Sequence, residues 1–197
     1  MAPLHRQPSG ALIMHRPLIP QIKVAVIYGS TRQGRLCTKV AGWTIAQIEG
    51  DGPFCVESVD PGAHDLAEQK ERLGRADAFI VVTPEYNRSF PAPLKALIDA
   101  TGAEWRGKPV AFVSYGGVSG GLRAVEQLRL VFAELHAATI RDGVCFANAW
   151  DQFDETGRLR DADRAERAMA TMLGQLHWWA SALRTARNTV PYGQFAA

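Results

Sequence analysis

KVAVIYGSTRQGRLCTKVAGWTIAQIE, Lys23 to Glu49, holds one complete strand–loop–helix unit. Lys23 to Ser30 is a short apolar run closing on Gly-Ser, without the polar alternation of a half-wet strand, so it reads as a strand buried on both faces. From Arg35 to Glu49 the period changes: Leu36, Val40 and Trp43 form one stripe and Ala41, Ile45 and Ile48 lie beside it, which is helical spacing. Between them sits Gly29-Ser30-Thr31-Arg32-Gln33-Gly34-Arg35, a polar turn delivered to a helix N-terminus. Backbone N–H groups and the helix dipole favour an anion at such a place.

The same alternation recurs downstream. PFCVESVD (53–60) reads as a second strand, and LAEQKERLGRA (66–76) as a polar helix closed by Gly74. DAFIVVT (77–83) is the clearest buried strand, and APLKALIDATG (92–102) is a helix that tolerates Pro93 in its first turn. KPVAFVSYGG (108–117) is a fourth strand. GGLRAVEQLRLVFAELHA (120–137) is a helix with Leu122, Val125, Leu128, Phe132 and Leu135 inward, and ATIRDGVCFAN (138–148) a fifth strand. AWDQFDETGRL (149–159) reads as a loop. A last helix, capped by Asp161, carries Ala165, Met169, Met172, Leu176, Trp179 and Leu183 on one face. Strands alternating with helices five times predict a doubly wound α/β domain over residues 22–188, a five-stranded parallel sheet with helices on both faces and the flavodoxin-like order 2-1-3-4-5. Residues 1–21, with four of the eleven prolines, are expected to be a flexible extension, and 189–197 a C-terminal tail.

Composition narrows the function. A net charge of +2 spread along 197 residues does not suit nucleic acid, and no run is long and apolar enough for a signal or a membrane span. Cys37, Cys55 and Cys145 are far apart, with no C-x-x-C and no paired His, which suits reduced thiols in a cytoplasmic protein and no metal site.

In a 2-1-3-4-5 sheet, ligands bind beyond the C-terminal strand ends at the switch point. Three loops converge there. The first offers the Ser30 and Thr31 hydroxyls and the Arg32 and Arg35 guanidinium forks, which suit the oxygens of one terminal phosphate monoester; the alternative is a polar turn with solvated arginines. Gly29 and Gly34 have triphosphatase-loop spacing, but Arg35 and Leu36 stand where Lys and Ser/Thr belong, and no G-x-G-x-x-G dinucleotide fingerprint is present. The second loop, Pro84-Glu85-Tyr86-Asn87-Arg88-Ser89-Phe90-Pro91, is stiffened by its prolines. It can hold Tyr86, Asn87 and the N–H groups of 85 to 87 against a planar ring; Phe90 is expected to pack in the loop core, and Glu85 to pair with Lys95 or a neighbouring subunit. The third, Ser114-Tyr115-Gly116-Gly117, lets backbone approach a ligand closely.

GSTRQGR, TPEYNRSFPAPLKALID and SYGGVSGGLRA, in this order and spacing, resemble the NADPH-dependent FMN reductase family of flavodoxin-like flavoproteins, over roughly Lys23 to Arg184. The resemblance implies FMN, its phosphate held by Ser30, Arg32, Arg35 and loop amides such as that of Gly34. Pro84, Glu85, Tyr86 and Asn87 would line the isoalloxazine, with Ser114, Tyr115, Gly116 and Gly117 on its other side. Many members carry Ser and Asn further along the phosphate loop, where this chain has Arg35 and Thr38. It further implies hydride transfer from NADPH or NADH to the flavin, then transfer to a small acceptor such as a quinone or flavin, by ping-pong turnover through one site. No catalytic side chain is needed, because the cofactor carries the chemistry. None of the five histidines falls in the three motif loops. The apolar last helix, with its Trp178-Trp179 pair, suits core packing or a dimer interface, and the resemblance implies a homodimer or homotetramer. Two readings compete: an electron-carrying flavodoxin without a nicotinamide step, weakened by the net charge and loop arginines, and an assembly module with an empty crevice.

Overall fold

The computed structural model describes residues 21–49 and 52–194, so the expected N-terminal extension lies outside the described residues but for Gln21. The elements are β1 (Ile22–Tyr28), α1 (Cys37–Ile48), β2 (Phe54–Val59), α2 (Leu66–Arg75), β3 (Ala78–Pro84), α3 (Ala92–Asp99), β4 (Pro109–Gly116), α4 (Leu122–Glu134), β5 (Ala138–Thr139), β6 (Val144–Ala147), α5 (Ala149–Gln152) and α6 (Asp163–Thr189). All strand pairs are parallel, in the order β2-β1-β3-β4-β5, with β6 also on β4. This is the expected doubly wound order, with its fifth position filled by two short strands instead of one. The break falls where Arg129 of α4 takes the carbonyls of Ile140 and Arg141 as acceptors, at 2.7 and 3.0 Å.

The core has two layers divided by the sheet. Val24, Val26, Ile80, Val82 and Val113 face α1 and α6, whereas Ala25, Ile27, Phe79, Val81 and Phe112 face α2, α3 and α4. β3, at the centre, is buried at all seven residues. At about 1.5–3 kcal/mol for each large apolar side chain, its Phe79, Ile80, Val81 and Val82 outweigh any single surface contact and hold the edge where the loops emerge.

Several helix boundaries depart from the sequence reading. α2 runs through Gly74 to Arg75, and its end is capped from outside: the buried Lys108 ammonium donates to the carbonyls of Leu73 and Gly74 at 3.1 and 3.0 Å. α6 starts at Asp163 without the Asp161 cap; Asp163 and Glu166 in its first turn complement the dipole instead. Its buried stripe is Met169, Met172, Leu176 and Ala180, leaving Trp178 64% and Trp179 39% exposed. Leu122, the first residue of α4, is 54% exposed, so the inward stripe there begins at Val125. The expected loop at 149–159 contains α5 and an antiparallel bridge between Phe153 and Leu159, with Phe153 buried. After α6 the chain turns back, and Tyr192 Oη lies 3.2 Å from His136 Nδ1.

Candidate active site

Register brings the three loops to one edge. Tyr28 pairs with Val82, Thr83 with Ser114 and Pro84 with Tyr115, so β1, β3 and β4 end side by side. The exit from β1 is tight: Gly29 N–H donates to Val82 O at 2.8 Å, and a Cβ on Gly29 would lie 2.8 Å from that same oxygen. Only glycine permits this approach, and it sends Ser30 inward.

Ser30 is fully buried, and its Oγ shares a 2.8 Å hydrogen bond with Tyr86 Oη across the crevice. The Arg32 guanidinium lies 3.7 Å over the centre of the Tyr86 ring, within cation–π reach. The next turn is open. Gly34 has φ +65°, a conformation costly for other residues, and nothing stands within 4 Å of its missing side chain. Among the described residues the N–H groups of Thr31, Gln33 and Gly34 make no hydrogen bond. They belong to a loop around a hollow of about 510 Å³ lined by Thr31, Arg32, Gln33, Gly34, Arg35, Thr38, Lys39 and Gly62. Open amides with a nearby guanidinium are an anion's donor set.

Arg35 has a different job from the one expected. It donates to both carboxylate oxygens of Asp60, to Ser30 O and to Thr38 Oγ1, which occupies four of its five N–H groups. It therefore braces the loop against the end of β2 and has little left for a phosphate. Burial alone would raise the Asp60 carboxyl, but hydrogen bonds from Arg35 and the Gly62 N–H outweigh it and hold the pKa below the ordinary value. Sequence reasoning missed Asp60. Its one signal was position: an acid directly after β2, the strand beside β1.

The second loop is a two-residue β-hairpin. Tyr86 and Ser89 exchange backbone hydrogen bonds at 2.8 and 3.0 Å, with Asn87 at φ 50° and Arg88 at φ 68°. These are the left-handed conformations of a primed turn, adopted here without glycine. Gln127 of α4 holds the tip: Ser89 Oγ bonds its Oε1 at 2.6 Å, and its Nε2 donates to Arg88 O at 2.8 Å. The hairpin supplies stiffness that the sequence reading gave to proline alone. It also consumes donors: Glu85 N–H goes to Tyr115 O and Tyr86 N–H to Ser89 O. Of the three amides expected to face a ring, only that of Asn87 stays open among the described residues. Phe90 packs against the α2–α4 layer of the core, as expected.

Glu85 does not pair with Lys95, which bonds Asp99. Its carboxylate accepts from Ser119 Oγ at 2.7 Å, from the Arg123 guanidinium at 2.6 Å and from Arg123 N–H at 3.2 Å. It thus ties the second loop to the start of α4. Burial pushes its pKa up, yet the bonds from Ser119 and Arg123 prevail and the net shift is downward. Ser119 and Arg123 stood inside SYGGVSGGLRA without an assigned role.

At the end of β4 the strand's alternation sends both expected side chains away from the crevice. Ser114 is buried under Gly121 on the α4 side. Tyr115 is buried on the other face beside Cys37, where burial raises its phenol far above its ordinary pKa. These two residues offer the crevice backbone only. Gly116 and Gly117 follow at the same edge: a Cβ on Gly116 would lie 3.3 Å from Gly121 N and 3.6 Å from the Glu85 Cβ, and one on Gly117 3.7 Å from the tip of Trp150. The N–H groups of Gly117, Val118 and Ser119 make no hydrogen bond among the described residues.

An anion-type loop, a rigid aromatic hairpin and a glycine-rich turn emerge side by side at the switch point of a 2-1-3-4-5 sheet, the arrangement of a flavodoxin-like α/β protein. The model of the NADPH-dependent FMN reductase family matches residues 22–151, and the chain belongs to that family. It is 37% identical over 120 residues to an NAD(P)H-dependent FMN reductase of Schizosaccharomyces pombe, covering 50% of this chain and 60% of that protein. A quinone reductase of Pseudomonas putida is 35% identical over 162 residues, covering 72% of this chain and 86% of the relative. Among solved structures, the flavoenzyme NAD(P)H:acceptor oxidoreductase FerB of Paracoccus denitrificans superposes with a TM-score of 0.62 at 23% identity, over 83% of this chain and 98% of FerB. That likeness shows the fold alone. No helix among the described residues is long and apolar enough to cross a membrane.

Proposed function

We propose that the protein is an FMN-dependent NAD(P)H oxidoreductase that passes reducing equivalents to a small acceptor such as a quinone or a free flavin. The observation that carries this is the meeting of Ser30 and Arg32 with Tyr86, on the edge that Gly116 and Gly117 complete. The residues present fit FMN: the open amides of Thr31, Gln33 and Gly34 with the Arg32 guanidinium match a phosphate, and the Tyr86–Asn87 hairpin and the Gly116–Gly117 backbone match a flat ring. FMN, when bound, supplies the redox chemistry by accepting hydride from a nicotinamide and giving electrons to the acceptor.

The chain's own residues position and tune. Arg32 neutralises phosphate charge, Arg35 and Asp60 hold the loop in shape, and Glu85 keeps the hairpin and the α4 start in register. The open amides of Asn87, Gly117, Val118 and Ser119 would serve as donors to a ring edge, and they need no proton to move. We place nicotinamide and acceptor in turn on the same open face, giving ping-pong turnover. We further place the protein in the cytoplasm as a homodimer or homotetramer, on the strength of its unpaired cysteines and the exposed Trp178 and Trp179.

The test is initial-rate kinetics of the FMN-loaded protein with NADPH or NADH against a benzoquinone. Parallel double-reciprocal lines are expected. Intersecting lines would contradict alternation in one site, and a flavin that NAD(P)H leaves oxidised would turn the assignment to an electron carrier.

A further inference from the structure

Trp150 is the large apolar side chain that the fold leaves beside the crevice without an internal role. It is 62% exposed and makes no ring or cation–π contact among the described residues. Its neighbours in the same short segment behave differently: Ala149 is fully buried and Phe153 is 4% exposed. The segment is therefore anchored by them, and Trp150 is its outward face.

That face is fixed to the crevice wall. Asn148, at φ 47°, turns the chain sharply after β6 and donates its N–H to Gly117 O at 3.0 Å. The indole tip then lies beside Gly117, 3.7 Å from where a Cβ would stand, in van der Waals reach of that backbone. An indole held beside the Gly117 backbone and mostly exposed to solvent has the shape and chemistry to stack on a planar aromatic molecule.

Resting on the flavin reading above, we propose that Trp150 is a specificity-determining residue: it stacks on the planar second substrate and favours fused-ring quinones over acceptors without a ring. It touches the acceptor and leaves the phosphate and hairpin contacts to the other loops.

The test compares FMN-loaded wild type with Trp150→Ala and Trp150→Phe. Binding of anthraquinone-2-sulfonate to the oxidised proteins is measured by calorimetry, and KM and kcat are measured for 1,4-naphthoquinone and ferricyanide. In Trp150→Ala, anthraquinone-2-sulfonate should bind about two- to tenfold more weakly. The naphthoquinone-to-ferricyanide ratio of kcat/KM should fall by a similar factor through KM, and Trp150→Phe should recover most of both. The inference is overturned if Trp150→Ala binds FMN normally yet keeps wild-type quinone affinity. It is also overturned if both acceptors lose equally, or if sedimentation shows that the substitution instead breaks an oligomer. Failure of the wild type itself to take up FMN would remove the flavin reading along with this one.

Discussion

Arg32 and Arg35 are three residues apart and of one chemical type, yet the fold gives them opposite tasks. Arg32 lies over Tyr86 with its fork open to the loop; Arg35 spends its donors on Asp60, Ser30 and Thr38. The two should therefore fail differently. Arg32→Ala should weaken FMN by about 1.5–3 kcal/mol, the scale of a charge-assisted hydrogen bond, while riboflavin binding and the melting temperature change little. Titration calorimetry with both flavins checks this. Asp60→Asn should behave otherwise: it leaves the half-buried Arg35 without its counter-charge, so about 1–3 kcal/mol of folding stability is lost, with looser FMN binding as a consequence. Urea unfolding with and without FMN separates the two effects. Sequence alone could name both arginines but could not rank them, because the partner that decides the matter is Asp60, just beyond the end of β2.

Glu85 links elements. One carboxylate joins the hairpin after β3 to Ser119 and Arg123 at the start of α4, where it also meets the positive end of the helix dipole. Because the folded carboxyl sits below its unfolded value, the ionised form stabilises the fold. That contribution is complete above the unfolded glutamate pKa of roughly 4.3, and it disappears as pH falls through the lowered folded value. Glu85→Gln should be less stable than wild type near neutrality and equal or nearly so in strong acid. Thermal melts across that acid range give the comparison; parallel curves for the two proteins would contradict the linkage. The hairpin itself was only half legible. Two prolines and an aromatic announced a stiff loop, but a primed turn through Asn87-Arg88 lacks the glycine that normally signals one.

For the whole molecule, the alternation of buried runs and amphipathic stretches was sufficient to give strand order, because the crossover rules leave so few windings. What it hid were features decided by contacts remote in sequence. Arg129 takes the carbonyls at the split of the fifth strand, and Lys108 those at the end of α2. The inward turn of Ser114 and Tyr115 follows from helices covering both faces of β4. The outer face of α6 is the remaining large-scale feature. Trp178 and Trp179 stack edge to face with ring centres 5.2 Å apart, largely in solvent. If they form the subunit interface, replacing both with Glu should convert the oligomer to a folded monomer by analytical ultracentrifugation; an unchanged mass would place the interface elsewhere.

Three strand ends forming one phosphate-and-ring crevice is the claim on which everything else rests. Its most direct measurement is the affinity of the apoprotein for FMN against riboflavin, which differ only by the phosphate. FMN should bind at least about a hundredfold more tightly, roughly 2.7 kcal/mol, with Arg32→Ala erasing much of that gap. Equal affinity for the two flavins, or no uptake of either, would contradict it.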